Sequence, residues 1–405
     1  MQNDKKILTP ITNMIIIYNN NQTWGMIIMY KAFKFRLYPN DEQRIIINKI
    51  FGCQRFVYNY YLNDIKNNGY KSARTCINDY NKNLKHQNDF LQEIDNTPII
   101  KTIFRLEANY KKCLNSKFGY PKYKSKYAKN SYTISVSYKI FNEKTYSNIE
   151  VNLKKRIIKL PELDEVKIRG YRKLNKINGR IINATVSRET TGKYYVSVLC
   201  EVPEVKQIVP NTIVGIDLGI KKHLTLSDNT AYDNNKYIEK YEKRIKRVQR
   251  ELSRKEKGSN NYYKCKKKLN ILYTKLKNAR KYNLHHITKT ITDNYVIITC
   301  EKLSTKKMIE KKVMSKKIAD ATLSEIIRQL NYKSKEKGKY FYQVDTYYPS
   351  SQLCSVCNTK DSKYKNLRER TYNCKNCHNM LDRDLNASIN IMFEGLKMYM
   401  KEVYA

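Results

Sequence analysis

Residues 32–38, AFKFRLY, alternate apolar and basic, which puts Phe33, Phe35 and Leu37 on one face of a half-buried strand. Pro39 and Asn40 end that strand. Asn40 with Gln43 three residues later is a capping-box pattern, so a helix is expected through IIINKIFGCQRFVYNYYLNDI. Helical spacing continues to about residue 117, as in IIKTIFRLEANYKKCL, and predicts a small basic helical bundle. From Ser131 to Val202 the period changes to two. SYTISVSYKIF, IEVNL, RIIKLP, EVKIRGY, RIINATVSRE and KYYVSVLCEV read as short strands, and ETTGKY as a hairpin turn. Such a run suggests a small β-barrel, with the oligonucleotide-binding type as one candidate, and the strand at 32–38 can join it.

A third region begins at Thr212. TIVGIDLGIKKHLTLSD reads as strand, glycine turn, strand. A charged helical pair follows, with Ile245, Val248 and Leu252 on one face of the first helix and Cys265, Leu269, Leu272 and Leu276 at heptad spacing on the second. That spacing is read as packing. VIITCE is a buried strand, residues 305 to 337 are helical, KYFYQVD is a strand, and a last helix is expected from about 385 to 402. Strands and helices alternate here, so this region is α/β and the whole chain multidomain α+β.

Charge changes the picture. The chain carries 79 Lys and Arg against 37 acidic residues, a net charge of +42 spread along its length. That calls for a polyanion partner, nucleic acid first. Aromatics interleaved with Lys, as in GYPKYKSKYAKNSYT, can stack on bases, although inflated Asn, Ile, Lys and Tyr make composition the default account of any single Tyr. Six of the ten cysteines are scattered, which excludes a secreted disulfide framework and implies a reducing, intracellular setting. The MIIIY run near the N-terminus is too short to span a bilayer and lacks a cleavage site. Residues 1–25 are expected to be a disordered extension or the product of an upstream start codon, with no membrane partner.

Two kinds of metal chemistry are written in the second half of the chain. Cys354, Cys357, Cys374 and Cys377 form C-x2-C-x16-C-x2-C, four thiolates for one closed, structural Zn²⁺. His378 is left outside that ligand set. Asp217 sits in the apolar run VGIDLG and Glu301 at the end of VIITCE. A buried acid is costly unless paired or bound to a cation, although each acid alone reads equally as a cap or an ion-pair partner. Asp384 falls in the first turn of the last helix, where it can serve as a cap. Together the three can hold two divalent cations, Mg²⁺ or Mn²⁺, suited to phosphodiester cleavage.

The segments KAFKFRLYPNDEQ, FGCQRFVYNYYL, GIDLGIKK, CEKLSTKKM, SSQLCSVCNTKD and YNCKNCHNMLDRDLNASINI resemble the TnpB proteins of bacterial insertion sequences and their viral and eukaryotic Fanzor relatives, over residues 30 to 395. The resemblance implies an RNA-guided DNA endonuclease with a RuvC-like, RNase H-fold site, a guide RNA and a DNA target. Carried over by motif, the three acids are Asp217, Glu301 and Asp384, with Asp382 the alternative for the third, and the four cysteines match a zinc-binding insert. The implied layout is an extension at 1–29, a wedge-type β-barrel at 30–40 and 118–205, and a helical recognition domain at 41–117. A RuvC-like nuclease domain at 211–350 and 380–405 and a zinc insert at 351–379 complete it. The extension before Met26 and Lys302 after Glu301 depart from the family pattern. The second cysteine pair runs directly into the helix bearing Asp384, so the zinc knuckle is expected to fix that carboxylate. Two other readings stay open: a transposase that joins DNA strands directly, for which no convincing helix-turn-helix is seen, and a non-catalytic nucleic-acid-binding regulator.

Overall fold

The computed structural model describes residues 28–115, 119–126, 130–141, 144–170, 177–219, 222–234, 237–303, 322–366 and 369–404. Residues 1–27 of the expected N-terminal extension and the 305–321 part of the expected helix at 305–337 lie outside them, while Ile28 and Met29, expected in the extension, begin the first strand. Two compact units result, one built on Met26–Pro203 and one on Glu204–Ala405.

The first unit starts with β1 (Ile28–Tyr38), followed by α1 (Asp41–Asn68), α2 (Ala73–Asp79), α3 (Asp89–Gln92) and α4 (Asn96–Asn115). The capping box is complete: Gln43 N donates to Asn40 Oδ1 at 2.8 Å, and Asn40 N donates to Gln43 Oε1 at 3.0 Å. Eight strands follow: β2 (Asn130–Ser135), β3 (Tyr138–Phe141), β4 (Lys144–Ser147), β5 (Glu150–Asn152), β6 (Ile157–Leu160), β7 (Asp164–Arg169), β8 (Arg180–Arg188) and β9 (Tyr194–Pro203). One antiparallel sheet has the order β2-β8-β9-β1-β7-β6-β5, and β3–β4 is a separate hairpin. The first strand of the chain thus sits in the middle of a sheet whose other strands come some hundred residues later. Alternation explains its place: Phe33, Phe35 and Leu37 enter a core shared with Ile47, Phe51 and Val57 of α1. The β8–β9 turn closes at Gly192, φ +81°, whose amide donates to Glu189 O.

The second unit is built on β10 (Ile213–Leu218), β11 (Lys222–Leu226), β12 (Ala231–Asp233), β13 (Ile297–Glu301) and β14 (Tyr340–Val344), in the order β12-β11-β10-β13-β14. Strands β10, β13 and β14 are parallel; β11 and β12 form an antiparallel wing. The helices are α5 (Tyr237–Ser253), α6 (Asn260–Asn294), α7 (Leu323–Glu336) and α8 (Arg383–Tyr404). The heptad residues do pack: Ile245 with Leu272 and Leu276, flanked by Val248 and Leu269. The second half of α6 then joins α7 in covering Val214, Ile216 and Ile298 on one face of the sheet. The opposite face takes α8 at very short range. A Cβ added at Gly215 would lie 2.0 Å from Ser388 O, and one at Gly395 would lie 1.8 Å from Thr299 Oγ1. Only glycine permits that approach.

Candidate active site and metal centre

Gly215 and Asp217 are two apart on β10, and Thr299 and Glu301 two apart on β13, so both acids face the side on which α8 lies. The β10–β13 register pairs Gly215 with Thr299 and Ile216 with Cys300. One further step sets Asp217 beside Glu301 at the C-terminal ends of two parallel strands. Leu218 N donates to Glu301 Oε1 at 3.4 Å. Asp384 arrives on the first turn of α8.

These carboxylates feel one another. Burial first, and then the charges of Glu301 and Asp384, hold the Asp217 carboxyl well above the usual carboxylate range; the Arg383 guanidinium and the Leu218 amide act in the opposite sense. Burial pushes Glu301 up to about 7 against the pull of the Leu218 amide. The three oxygens do not close into one tight cage, because among the described residues only the four cysteines place three or more candidate ligand atoms within 4.8 Å of one another. The electrostatics nevertheless favour a cation. In a chain of net charge +42, three half-buried acids converge, and hard oxygen donors of this kind suit Mg²⁺ or Mn²⁺.

Asp382 and Asp384 do different jobs. Asp382 Oδ1 accepts from Asp384 N at 2.9 Å and Leu385 N at 3.2 Å, and so caps α8, while its Oδ2 pairs with Lys222 Nζ at 3.3 Å. The capping role open to Asp384 in the sequence is therefore filled by Asp382. Asp384 Oδ2 instead meets Arg370 Nη1 at 3.6 Å.

The cysteines form two matching knuckles. Cys354 N donates to Thr359 O and Asn358 N to Cys354 O; Cys374 N donates to Asn379 O and His378 N to Cys374 O. Asn358 and His378 take the same left-handed position, φ +60° and +58°. His378 is thus an exposed turn residue outside the sulfur cluster. Sγ–Sγ distances of 3.5 Å join Cys354 to Cys377 and Cys357 to Cys374, near the roughly 3.8 Å edge of a tetrahedron with 2.3 Å Zn–S bonds. The Thr359 hydroxyl and amide draw the Cys357 thiol down to about 5, towards the thiolate a metal needs. Beneath the knuckles lie Tyr364 and Tyr372, with ring centroids 4.2 Å apart.

Several neighbours were given no structural role by the sequence, although Asn386 belongs to the motif that favours Asp384 as the third acid. Asn386 and Asn390, buried on α8, hold the backbone just before and after Cys354. Arg383 is buried beside the acids, and its amide donates to Arg370 O at 2.8 Å. Only its position between two aspartates hinted at a part in the site.

Comparison with known proteins fits this geometry. A family profile described as "Probable transposase" matches residues 197–312, "Cas12f1-like, TNB domain" matches 324–391, and "Helix-turn-helix domain" matches 26–74. In the structure, residues 28–74 are β1, the 28-residue α1 and the start of α2. A Streptomyces pristinaespiralis protein named "Putative RNA-guided DNA endonuclease" is 30% identical over 90% of this chain and 89% of its own length. The chain belongs to the TnpB family. Its Escherichia coli K12 relative InsQ, named in the same way, is 28% identical over 90% of this chain and 92% of its own. The fold also matches Cas12f1, solved with its single guide RNA and target DNA, at a TM-score of 0.56 and 14% identity, covering 90% of this chain and 99% of that one. The TnpB chain thus has a multidomain α+β fold. Among its described residues no helix is long and apolar enough to cross a membrane.

Proposed function

We propose that this protein is an RNA-guided, Mg²⁺-dependent DNA endonuclease of a mobile element, cutting through an RNase H-like site made of Asp217, Glu301 and Asp384. The observation that carries the reading is the meeting of Asp217 and Glu301 on the sheet face that α8 covers with Asp384, where burial and then the charges of Glu301 and Asp384 raise the carboxyl of Asp217. The strand order β12-β11-β10-β13-β14, with an antiparallel wing and a parallel half, supports the RuvC-like assignment. Divalent ions bound by these acids would activate water and stabilise the leaving oxygen. The chain's own part is to bring the carboxylates together and give up the protons that burial favours. Arg370 steadies Asp384, and the zinc knuckle anchors the helix that carries it.

The other domains follow as part of the proposal. Residues 30–40 and 118–205 form the wedge-type barrel, supported by β1 lying within the β2–β9 sheet, and 41–117 the helical recognition domain. A cleft of about 780 Å³ along the end of α5, lined by Lys243, Lys246, Arg247, Arg250, Arg254 and Lys255 with Glu251 as its one acid, adds a mainly basic surface for a phosphate backbone. The named endonuclease relatives support the same partners. The helix-turn-helix profile favours a second reading, direct strand joining by a transposase.

Expression with the native flanking DNA, followed by sequencing of the co-purified RNA, separates the two. A discrete structured RNA ending in flanking sequence, and guided cleavage lost in Asp217→Ala, are expected. Only heterogeneous host RNA, with strand joining that needs no guide, would overturn the proposal.

A further inference from the structure

Residues 119–126 run along α1 as a strap, fastened at two points. Asn59 donates from Nδ2 to Lys124 O at 3.1 Å and accepts at Oδ1 from Lys124 N at 2.8 Å. Tyr123 donates to Asn63 Oδ1 at 3.0 Å, and Lys66 lies 4.2 Å from the Tyr123 ring centroid. Asn59, Asn63 and Lys66 are spaced i, i+4 and i+7, one face of the helix.

The clamp turns Lys124 inward. Its ammonium lies 3.8 Å from the ring centroid of buried Tyr58. Arg105 of α4 is close enough for its charge to act on both Lys124 and Tyr58. Among the described residues no oxygen accepts from Lys124 Nζ, and neither cation has a carboxylate partner. Burial and then Arg105 lower Lys124 to about 8. Lys333 is lowered to the same value, but it donates to His285 O at 2.9 Å and Thr288 Oγ1 at 2.7 Å. Lys333 is a satisfied structural lysine; Lys124 is not. A ring face compensates only part of the loss of water around an ammonium, and a second cation beside it adds repulsion. A bound anion relieves both.

We propose that Lys124 and Arg105 together hold one phosphodiester group of a bound nucleic-acid strand. Two cations match one phosphate with charge to spare. The exposed rings of Tyr120 and Tyr123 on the same strap offer stacking for bases, and the chain's net charge selects a polyanion over an acidic side chain. The inference rests on the nucleic-acid-binding part of the proposed function and not on cleavage.

The test is binding of fluorescent single-stranded RNA and single-stranded DNA by the full chain across a salt series. Lys124→Met keeps the aliphatic stem over Tyr58 and removes the charge. Arg105→Gln, on another helix, is the second variant should the first unfold, and exposed Lys101→Met on α4 is the control. Each site variant should weaken binding about tenfold and reduce the log–log salt slope by about 0.7, the share of one phosphate contact, while the control stays within about twofold. The double variant should lose less than the sum, because both residues serve one phosphate. Loss on RNA alone assigns the site to the guide strand, loss on DNA alone to the target, and either supports it. Wild-type affinity and slope in both variants, or an equal loss in the control, overturn this inference and leave the nuclease reading standing. A wild-type chain that binds neither polymer overturns both.

Discussion

Asn386 donates from Nδ2 to Leu353 O at 2.7 Å and accepts at Oδ1 from Ser355 N at 2.9 Å. One fully buried carboxamide, two residues after Asp384, thereby grips the chain on both sides of Cys354 of the four-cysteine cluster. Asn390, one turn on, donates to the same Leu353 O and to Ser350 O, each at 2.8 Å. Asn386→Ala leaves the half-buried Ser355 amide without its partner and is expected to destabilise the C-terminal unit by about 1–3 kcal/mol. Zinc retention and cleavage should fall together in Asn386→Ala and in Cys374→Ser, measured by metal content and single-turnover rates. Full activity in either would separate the knuckle from the carboxylate.

Asp382 and Asp384 should respond differently to removal. Asp382→Ala deletes a helix cap and should lower stability by about 1 kcal/mol with cleavage within a few-fold of wild type. Asp384→Ala should abolish cleavage while guide RNA still co-purifies. The reverse pattern would make Asp382 the third acid.

The glycine contacts set where α8 lies. Gly395→Ala drives a methyl into Thr299, 1.8 Å from Oγ1 and 2.6 Å from Cβ. The helix must shift, at a cost of roughly 1–3 kcal/mol, and Asp384 shifts with it. Cleavage should therefore drop at least tenfold at saturating Mg²⁺. Phe393→Ala, an exposed change on the same helix, should leave the rate near wild type. Pairing Gly395→Ala with Thr299→Gly removes the obstructing side chain and should restore part of the activity.

The acid cluster works against the fold when no divalent ion is present. Glu301 has a folded pKa near 7 against an ordinary value of 4.5, so folding takes up a proton between those values. Stability should then fall as pH rises from about 4.5 to 7 and stay low above it. At pH 8 in chelator, Glu301→Gln should be more stable than wild type by on the order of 1–3 kcal/mol. The advantage should vanish near pH 4 and shrink on adding Mg²⁺. Melting curves at the two pH values check this; equal melting at both would mean that Glu301 is not held protonated.

Local pattern reached a long way here. Apolar runs ending in one acid marked the strand ends that carry Asp217 and Glu301, because a buried strand has a simple two-residue period and tolerates few polar positions. The Asn40–Gln43 pair predicted a helix start to the residue, since a capping box is a contact within four residues. The cysteine spacing predicted both knuckles, because each is made within one turn of chain. Charge alone pointed to nucleic acid.

What local pattern left undecided were meetings between distant segments. Leu218 and Glu301 are 83 residues apart, and Asn386 bonds to backbone atoms that carry no residue signature. Whether Asp382 or Asp384 caps the last helix turned on a two-residue difference in where α8 begins. Lys124, whose ammonium has no oxygen partner among the described residues, looked like any other lysine of a basic segment until the strap at 119–126 was seen clamped to α1. Sequence by itself determined most of the described elements, the four-cysteine cluster and the candidate acids, since those follow from period, spacing and residue chemistry. Tertiary structure decided which acid faces which, because close packing at Gly215 and Gly395 fixes α8 against the sheet, and no one-dimensional pattern encodes that distance.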